Sequence, residues 1–414
     1  MDIFKSGARI WRHFDWRLFL TALALSLWSL LVLAAVSSPG QFKRQLLSLG
    51  LGLAVFFLAT ALDYRQFKRF AEILFGAAVF LLLVVLNTGH TAYGAQRWLN
   101  LGLFSFQPTE LLKLALIFLL AKFLEQKQGR LDTLLDVLPG FALVGLPFFL
   151  IFKQPDLGSA IVLAVIFLVM SFWGGMRLSR LLMLASPLLS ILALHVLPVD
   201  PLLAWGVYLV LLLFCLWRLR FPLLDSGVYF ALNFCSGLFS SFFWNSLSLY
   251  QRNRILSFIN PDIDPLARGV RYHMTKAVIA VGSGGLWGKG WLQGALTNLR
   301  YIPQQHTDFI FSVIGEEFGF IGTALSVLLL FYLLRRIYQI ALKIPTDFGR
   351  YIAIGVLALL SFQSVINVCM NIGLAPVVGL PLPFISYGGT ALVMSWLGLG
   401  LVQSAAMHRQ TLEL

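Results

Sequence analysis

Uninterrupted apolar runs of roughly 18 residues or more recur along the whole chain, and nothing else in it narrows its folding options so far. A run of that length is what a helix needs to cross the hydrocarbon core of a bilayer. Composition agrees. Of 414 residues, 59% are hydrophobic and only 12% charged, against about 25% charged in a soluble domain. The mean hydropathy is +0.84. A cytosolic enzyme, a disordered tail protein and a secreted disulfide scaffold are all excluded. The pattern predicts an all-α polytopic membrane protein: one membrane domain over 1–414 with about 12 transmembrane helices.

The predicted spans are 17–38, 44–62, 69–88, 108–124, 134–152, 157–174, 179–197, 201–219, 222–244, 309–334, 350–372 and 384–406. The first lacks a small-residue cleavage site and is expected to remain as a signal anchor. Lysine and arginine set the orientation. Lys5, Arg9, Arg12 and Arg17 precede the first span, and alternate loops continue the bias with Arg65, Lys68, Arg69, Lys122, Lys127, Arg130, Arg177, Arg180, Arg218, Arg220, Arg335, Arg336, Lys343 and Arg350. The opposite short loops hold only Lys43, Arg44, Arg97 and Lys153. Both termini are therefore expected in the cytoplasm. The net charge of +13 is spent in these clusters and forms no single basic face, so no nucleic-acid partner is expected. Cys215, Cys235 and Cys369 all lie in apolar stretches and read as small core residues.

Two segments on the non-cytoplasmic side exceed ordinary turns, namely 89–107 and the large loop 245–308. Their aromatic content (Trp98, Phe104, Phe106, Trp287, Trp291) predicts packing at the membrane interface. Costly polar groups gather on this same side, which makes each a functional candidate. In GAQRWLNLGLFSFQPTELLK (94–113), Pro108 opens a helix that places Glu110 and Lys113 on one face. They read either as an internal ion pair at a helix start or as groups lining a wet cavity, since a lipid-facing ammonium would cost roughly 3 kcal/mol. Asp156 of KQPDLGSA (153–160) is equally a helix cap or a site residue.

The glycine-rich stretch VGSGGLWGKGW (281–291) tempts a phosphate-loop reading, which fails because Ser283 and Gly290 break the required pattern. Asp308 of PQQHTDFIF stands where a polar loop enters a long helix, beside His306 and Thr307. Glu316 and Glu317 follow about 12 Å deeper. Asp308 reads as that helix's cap or as a general base at a wet–dry boundary. In NVCMNIGLAPVVGLPLPFISYGG (367–389), Pro376, Pro381, Pro383 and Gly379 forbid a continuous helix, so the backbone there must be buried or line a cavity. Ser386 and Tyr387 close that stretch. With Arg252, Arg254 and Lys289, these groups suit an anionic head group whose tail stays in the bilayer. A transporter that flips such a lipid without chemistry is the rival reading, but it requires ionisable groups near mid-bilayer rather than on one side. No His/Cys cluster has ligand spacing, so any metal would be Mg2+ or Mn2+ held on carboxylates and phosphate. No organic cofactor is expected.

At GAQRWLNLG, QPTELLK, KQPDLGSA, YQRNRILSFINP, GSGGLWGKGW, HTDFIF and PLPFISYGG the chain resembles the SEDS proteins (shape, elongation, division and sporulation), in family order from about 94 to 400. The resemblance implies a peptidoglycan glycosyltransferase that polymerises lipid II, with undecaprenyl-pyrophosphate-linked glycan, on the outer face of the bacterial cytoplasmic (inner) membrane. It implies a class B penicillin-binding protein transpeptidase and other elongation-complex membrane proteins as partners. The 367–389 stretch is similar to the elongation branch. The division branch, which is the alternative, tends to carry Thr-Lys where Val377 and Val378 stand. Asp308 matches the aspartate needed for polymerisation, and Trp98, Glu110 and Lys113 match cavity residues. Arg252, Arg254, Lys289, His306, Thr307, Glu316, Ser386, Tyr387 and Asp156 complete the expected site. The chain departs from the family pattern at Gln304 (usually Glu), at Lys276 and Ala277, and at Ala295 and Leu296. The family has ten helices, so twelve implies an inserted pair near 179–219.

Overall fold

The computed structural model describes residues 13–88, 90–92, 95–100, 105–131, 133–195, 200–247, 249–260, 271–299, 301 and 304–408. All twelve predicted segments form helices: α1 (Trp16–Val36), α2 (Pro39–Ala61), α3 (Gln66–Thr88), α4 (Pro108–Lys127), α5 (Leu134–Lys153), α6 (Leu157–Trp173), α7 (Leu178–His195), α8 (Pro201–Arg218), α9 (Leu223–Leu238), and, after shorter elements, α14 (Ile310–Ala341), α15 (Asp347–Asn371) and α16 (Gly389–Met407). Between α3 and α4 lie strands β1 (His90–Ala92), β2 (Ala95–Asn100) and β3 (Ser105–Phe106), paired antiparallel in that order. The 245–308 region contributes the short helices α11 (Leu249–Ile259), α12 (Arg271–Ser283) and α13 (Ala295–Asn298), preceded by α10 (Ser240–Ser246). The NPDIDP motif beyond Asn260, and the basic residues before His13, lie outside the described residues.

Nine of these helices, among the described residues, are long and apolar enough to cross a membrane. Three of the twelve are not in that set. Helix α4 carries Glu110, Lys113, Lys122 and Glu125, while α6 and α9 are only 17 and 16 residues long. The expected span 222–244 is interrupted at Phe239, where α9 ends and α10 starts. The last span starts at Gly389 rather than 384, because Ser386 folds a turn back onto Leu382 through N–H and hydroxyl bonds. Large apolar side chains such as Leu47, Phe80, Leu182 and Phe331 are exposed, as lipid-facing positions must be.

The chain divides into two compact units, 1–126 with 140–170 and 272–414, and 127–139 with 171–271. In the first, α2 and α16 pack closely because Gly400 lies against the Phe56 carbonyl, where a Cβ would sit at 2.8 Å. In the second, α7, α8 and α9 are tied by polar groups inside apolar helices. Asn233 donates to Ser186 Oγ at 2.8 Å, Tyr208 donates to Asn233 Oδ1, and Trp205 donates to Ser190.

Helix α14 is broken. Gly319 adopts φ 64° and ψ −157°, a conformation open to glycine and strained for other residues. A break in a membrane helix frees backbone groups that lipid cannot satisfy. Here the glycine-rich stretch satisfies them. Lys289 and Gly290 donate their N–H groups to the carbonyls of Glu316 and Glu317, at 2.9 and 3.0 Å. Phe320 and Ile321 donate theirs to the carbonyls of Gly285 and Leu286, at 2.8 and 3.2 Å. Side chains at Gly284 or Gly288 would collide with the carbonyls of Gly315 and Glu317. The stretch that mimics a phosphate loop is a backbone splint.

Candidate functional site

Asp308 lies in the turn 304–309 that leads into α14, half-buried. Three consecutive carbonyls of this turn are held by four donors. Tyr387 N–H donates to His306 O at 2.9 Å, and Ser386 Oγ donates to Thr307 O at 2.6 Å. Asn367 and Asn371, on α15, both donate their amides to Asp308 O at 3.0 Å. Inside the turn, Thr307 N–H donates to Gln304 O at 3.1 Å. The 382–388 segment is fixed in its own right: Ser386 Oγ accepts from Leu382 N–H, and Gln45 on α2 brackets the segment by donating to Ser386 O and accepting from Gly388 N–H. Ser386, Tyr387, His306, Thr307 and Asp308 are thus brought together.

Helix α14 has Phe309 as its N-cap, with no side-chain cap bond of its own. The first-turn N–H of Ser312, which an N-cap side chain ordinarily takes, donates to Asn371 Oδ1 at 3.1 Å. The capping role belongs to another helix. Beside the Asp308 carboxylate stands Gly379, φ 77°, where an added Cβ would come within 3.4 Å of Asp308 Oδ2.

His306 meets Tyr387 edge-on at 5.3 Å, and its Nε2 lies 3.2 Å from Gln41 Nε2 on α2. Burial holds this imidazole below its usual pKa. In the neutral form, with the proton on Nδ1, the ring accepts from Gln41. Because the folded state binds the proton less readily than the unfolded chain, stability should fall as pH drops from about 6.5 toward the folded value. Thermal unfolding in detergent across this range is expected to show that acid limb, and His306→Gln should flatten it.

The other expected site residues fall into separate groups. Glu110 and Lys113 form an enclosed pair, Nζ to Oε1 2.6 Å, with the lysine fully buried rather than on an open cavity wall. Removing one partner of a buried pair strands the other charge, so Lys113→Met is expected to destabilise the fold by about 3–5 kcal/mol. Glu110→Met with Lys113→Met should recover most of the loss, measured as thermal midpoint in detergent. Asp156 caps α6 through Ser159 (N–H 3.2 Å, Oγ 2.9 Å), and Arg97 approaches it at 3.8 Å. Trp98 is half-buried on β2, where its backbone pairs with His90. Glu316 is fully buried and saturated by Lys289 Nζ (2.8 Å), Leu296 N–H (2.9 Å), Thr297 N–H (3.0 Å) and Thr297 Oγ1 (2.7 Å). It anchors the 289–297 segment to α14 and has no lone pair to spare for a ligand. Arg252 and Arg254 lie on α11 in the second unit, where Arg252 donates to the carbonyls of Leu247 and Asn245. A cavity of about 370 Å3 lined by Asp15, Arg17, Arg336 and Lys343, among others, shares no residue with the Asp308 turn.

Sequence reasoning missed Gln41, Gln45, Asn367 and Asn371, and read Gly379 only as a helix breaker. The signal was present: Gln41/Gln45 and Asn367/Asn371 are amide pairs four residues apart in apolar helices, each pair on one helix face.

The FtsW/RodA/SpoVE model, described as a cell cycle protein, matches residues 12–201 and 202–411. Peptidoglycan glycosyltransferase MrdB of Escherichia coli (strain K12) is 33% identical over 411 residues, covering 97% of this chain and 95% of that protein. Among solved structures, a chain of a peptidoglycan synthase complex that coordinates polymerization and crosslinking superposes with TM-score 0.71 at 30% identity, covering 96% of this chain and 99% of that one. The rod shape determining protein RodA of Thermus thermophilus gives TM-score 0.64 at 28% identity, covering 96% and 98%.

Proposed function

The chain belongs to the FtsW/RodA/SpoVE family of cell cycle proteins, and from that premise we propose that Asp308 is the general base with which it polymerises lipid II. The protein is an integral membrane peptidoglycan glycosyltransferase of the cell-shape machinery. The naming of its relatives as glycosyltransferases favours an enzyme over a transporter. The observation that carries the residue assignment is the turn itself. Three backbone carbonyls are tied down, capping is delegated to Asn371, and Asp308 Oδ2 lies beside Gly379.

In the proposed reaction, the acceptor GlcNAc 4-hydroxyl gives its proton to Asp308 as its oxygen attacks C1 of the donor MurNAc. The bond from C1 to undecaprenyl pyrophosphate breaks, and the anomeric centre inverts from α to β. Among the described residues no three His, Cys, Asp or Glu converge as a metal cage. A Mg2+ or Mn2+ would rest chiefly on substrate pyrophosphate and offset the leaving-group charge. The basic loops support placing this chemistry on the outer face of the bacterial inner membrane, with both termini in the cytoplasm. The likeness to a chain of a synthase complex supports a class B penicillin-binding protein as partner. Glycan synthesis from purified lipid II with that partner present is the test, and an Asp308→Asn protein that polymerised like wild type would remove Asp308 from the chemistry.

A further inference from the structure

We propose that Asn371 is a positioning residue for Asp308, a claim that rests on the general-base reading. Asn371 is fully buried on α15 and reaches both sides of the start of α14. Its Oδ1 accepts from Ser312 N–H at 3.1 Å and Ser312 Oγ at 2.5 Å. Its Nδ2 donates to Asp308 O at 3.0 Å and to Asn367 O at 2.8 Å. The amide orientation is fixed by these partners. Turned over, it would set an oxygen against two carbonyls and an NH2 against an N–H.

The arrangement does two things for the carboxylate four residues before Ser312. It satisfies the Ser312 N–H, the helix donor that a neighbouring Asp side chain could otherwise take. It also pins the backbone carbonyl of Asp308, with Asn367 as a second donor at the same oxygen, and so fixes where Cβ and the carboxylate can lie. Asn367, also fully buried, ties this oxygen to Leu380 O at 2.7 Å, on the segment that carries Gly379. A general base displaced by about 1 Å loses on the order of 100-fold in rate without any loss of substrate affinity.

The test compares Asn371→Ala and Asn371→Asp with Asp308→Asn and wild type, each with its transpeptidase partner, reading kcat and KM for lipid II and the thermal midpoint in detergent. Asn371→Asp keeps an acceptor for Ser312 and loses the donor to Asp308 O. Both Asn371 variants are expected to lose about 10- to 100-fold in kcat with KM within about threefold of wild type. Asn371→Asp should do so while remaining folded. Full kcat in a folded Asn371→Asp, or a rise in KM with kcat intact, overturns the proposal, as does failure of both variants to fold, which marks a structural role. The two readings fail separately. Wild-type turnover by Asp308→Asn removes the general base and this role with it, whereas an inactive Asp308→Asn beside fully active Asn371 variants removes the positioning role alone.

Discussion

Asp308→Asn is expected to lower kcat for glycan polymerisation by about 10²- to 10⁴-fold, the usual contribution of a positioned base. The substitution is nearly isosteric and removes only the ability to take a proton. The turn is fixed largely through its own backbone carbonyls, which the substitution leaves in place, so the variant should fold and bind its partner as wild type does. Unchanged yield and thermal midpoint with lost turnover is therefore the diagnostic combination. Asp308→Glu keeps the charge and moves it outward by one methylene, which should recover part of the activity but not all of it. Equal loss in KM and kcat, or a collapse in yield, would instead mark Asp308 as structural.

The second large effect belongs to Glu316. Its carboxylate accepts from four donors on the segment 289–297, and Glu316→Ala would leave two backbone N–H groups, a hydroxyl and the Lys289 ammonium without that acceptor. Stranding buried donors costs about 1–3 kcal/mol for each group. The expected outcome is a fall of at least about 4 kcal/mol, read as loss of monodisperse protein or a large drop in thermal midpoint, with activity lost in consequence. Lys289→Met should be far milder, because Lys289 is partly solvated and the other three donors remain. A Glu316→Ala protein of normal stability but no turnover would show that this carboxylate has a direct role after all.

The helices were legible because apolar length is a strong signal, and most predicted boundaries fall within a few residues of the observed ones. Boundaries slipped where a polar turn intervenes, as at 384–388, since hydropathy does not register a hydroxyl folding back on its own chain. The turn around Asp308 was legible from its motif, and its neighbours Ser386 and Tyr387 from theirs. What supports it was not. Asn371 and Gln45 act through backbone partners distant in sequence, and pattern alone does not say which carbonyl an amide will meet. Glu316 was placed among the ligand-facing groups because a buried carboxylate is costly. The structure supplies its donors from a loop some 20 residues upstream. Depth marked an expensive residue without saying whether substrate or fold makes use of it.

The repaired gap in α14 also makes chain length between Gly284 and Gly290 matter as much as the glycines that line it. Four main-chain bonds must meet the two stumps of one helix in fixed phase, so losing or adding a single peptide unit would slide the whole ladder out of alignment. Exposed Leu286 and Trp287, whose side chains point away from that seam, can vary with little consequence. Residue spacing here behaves like the tooth count of a gear.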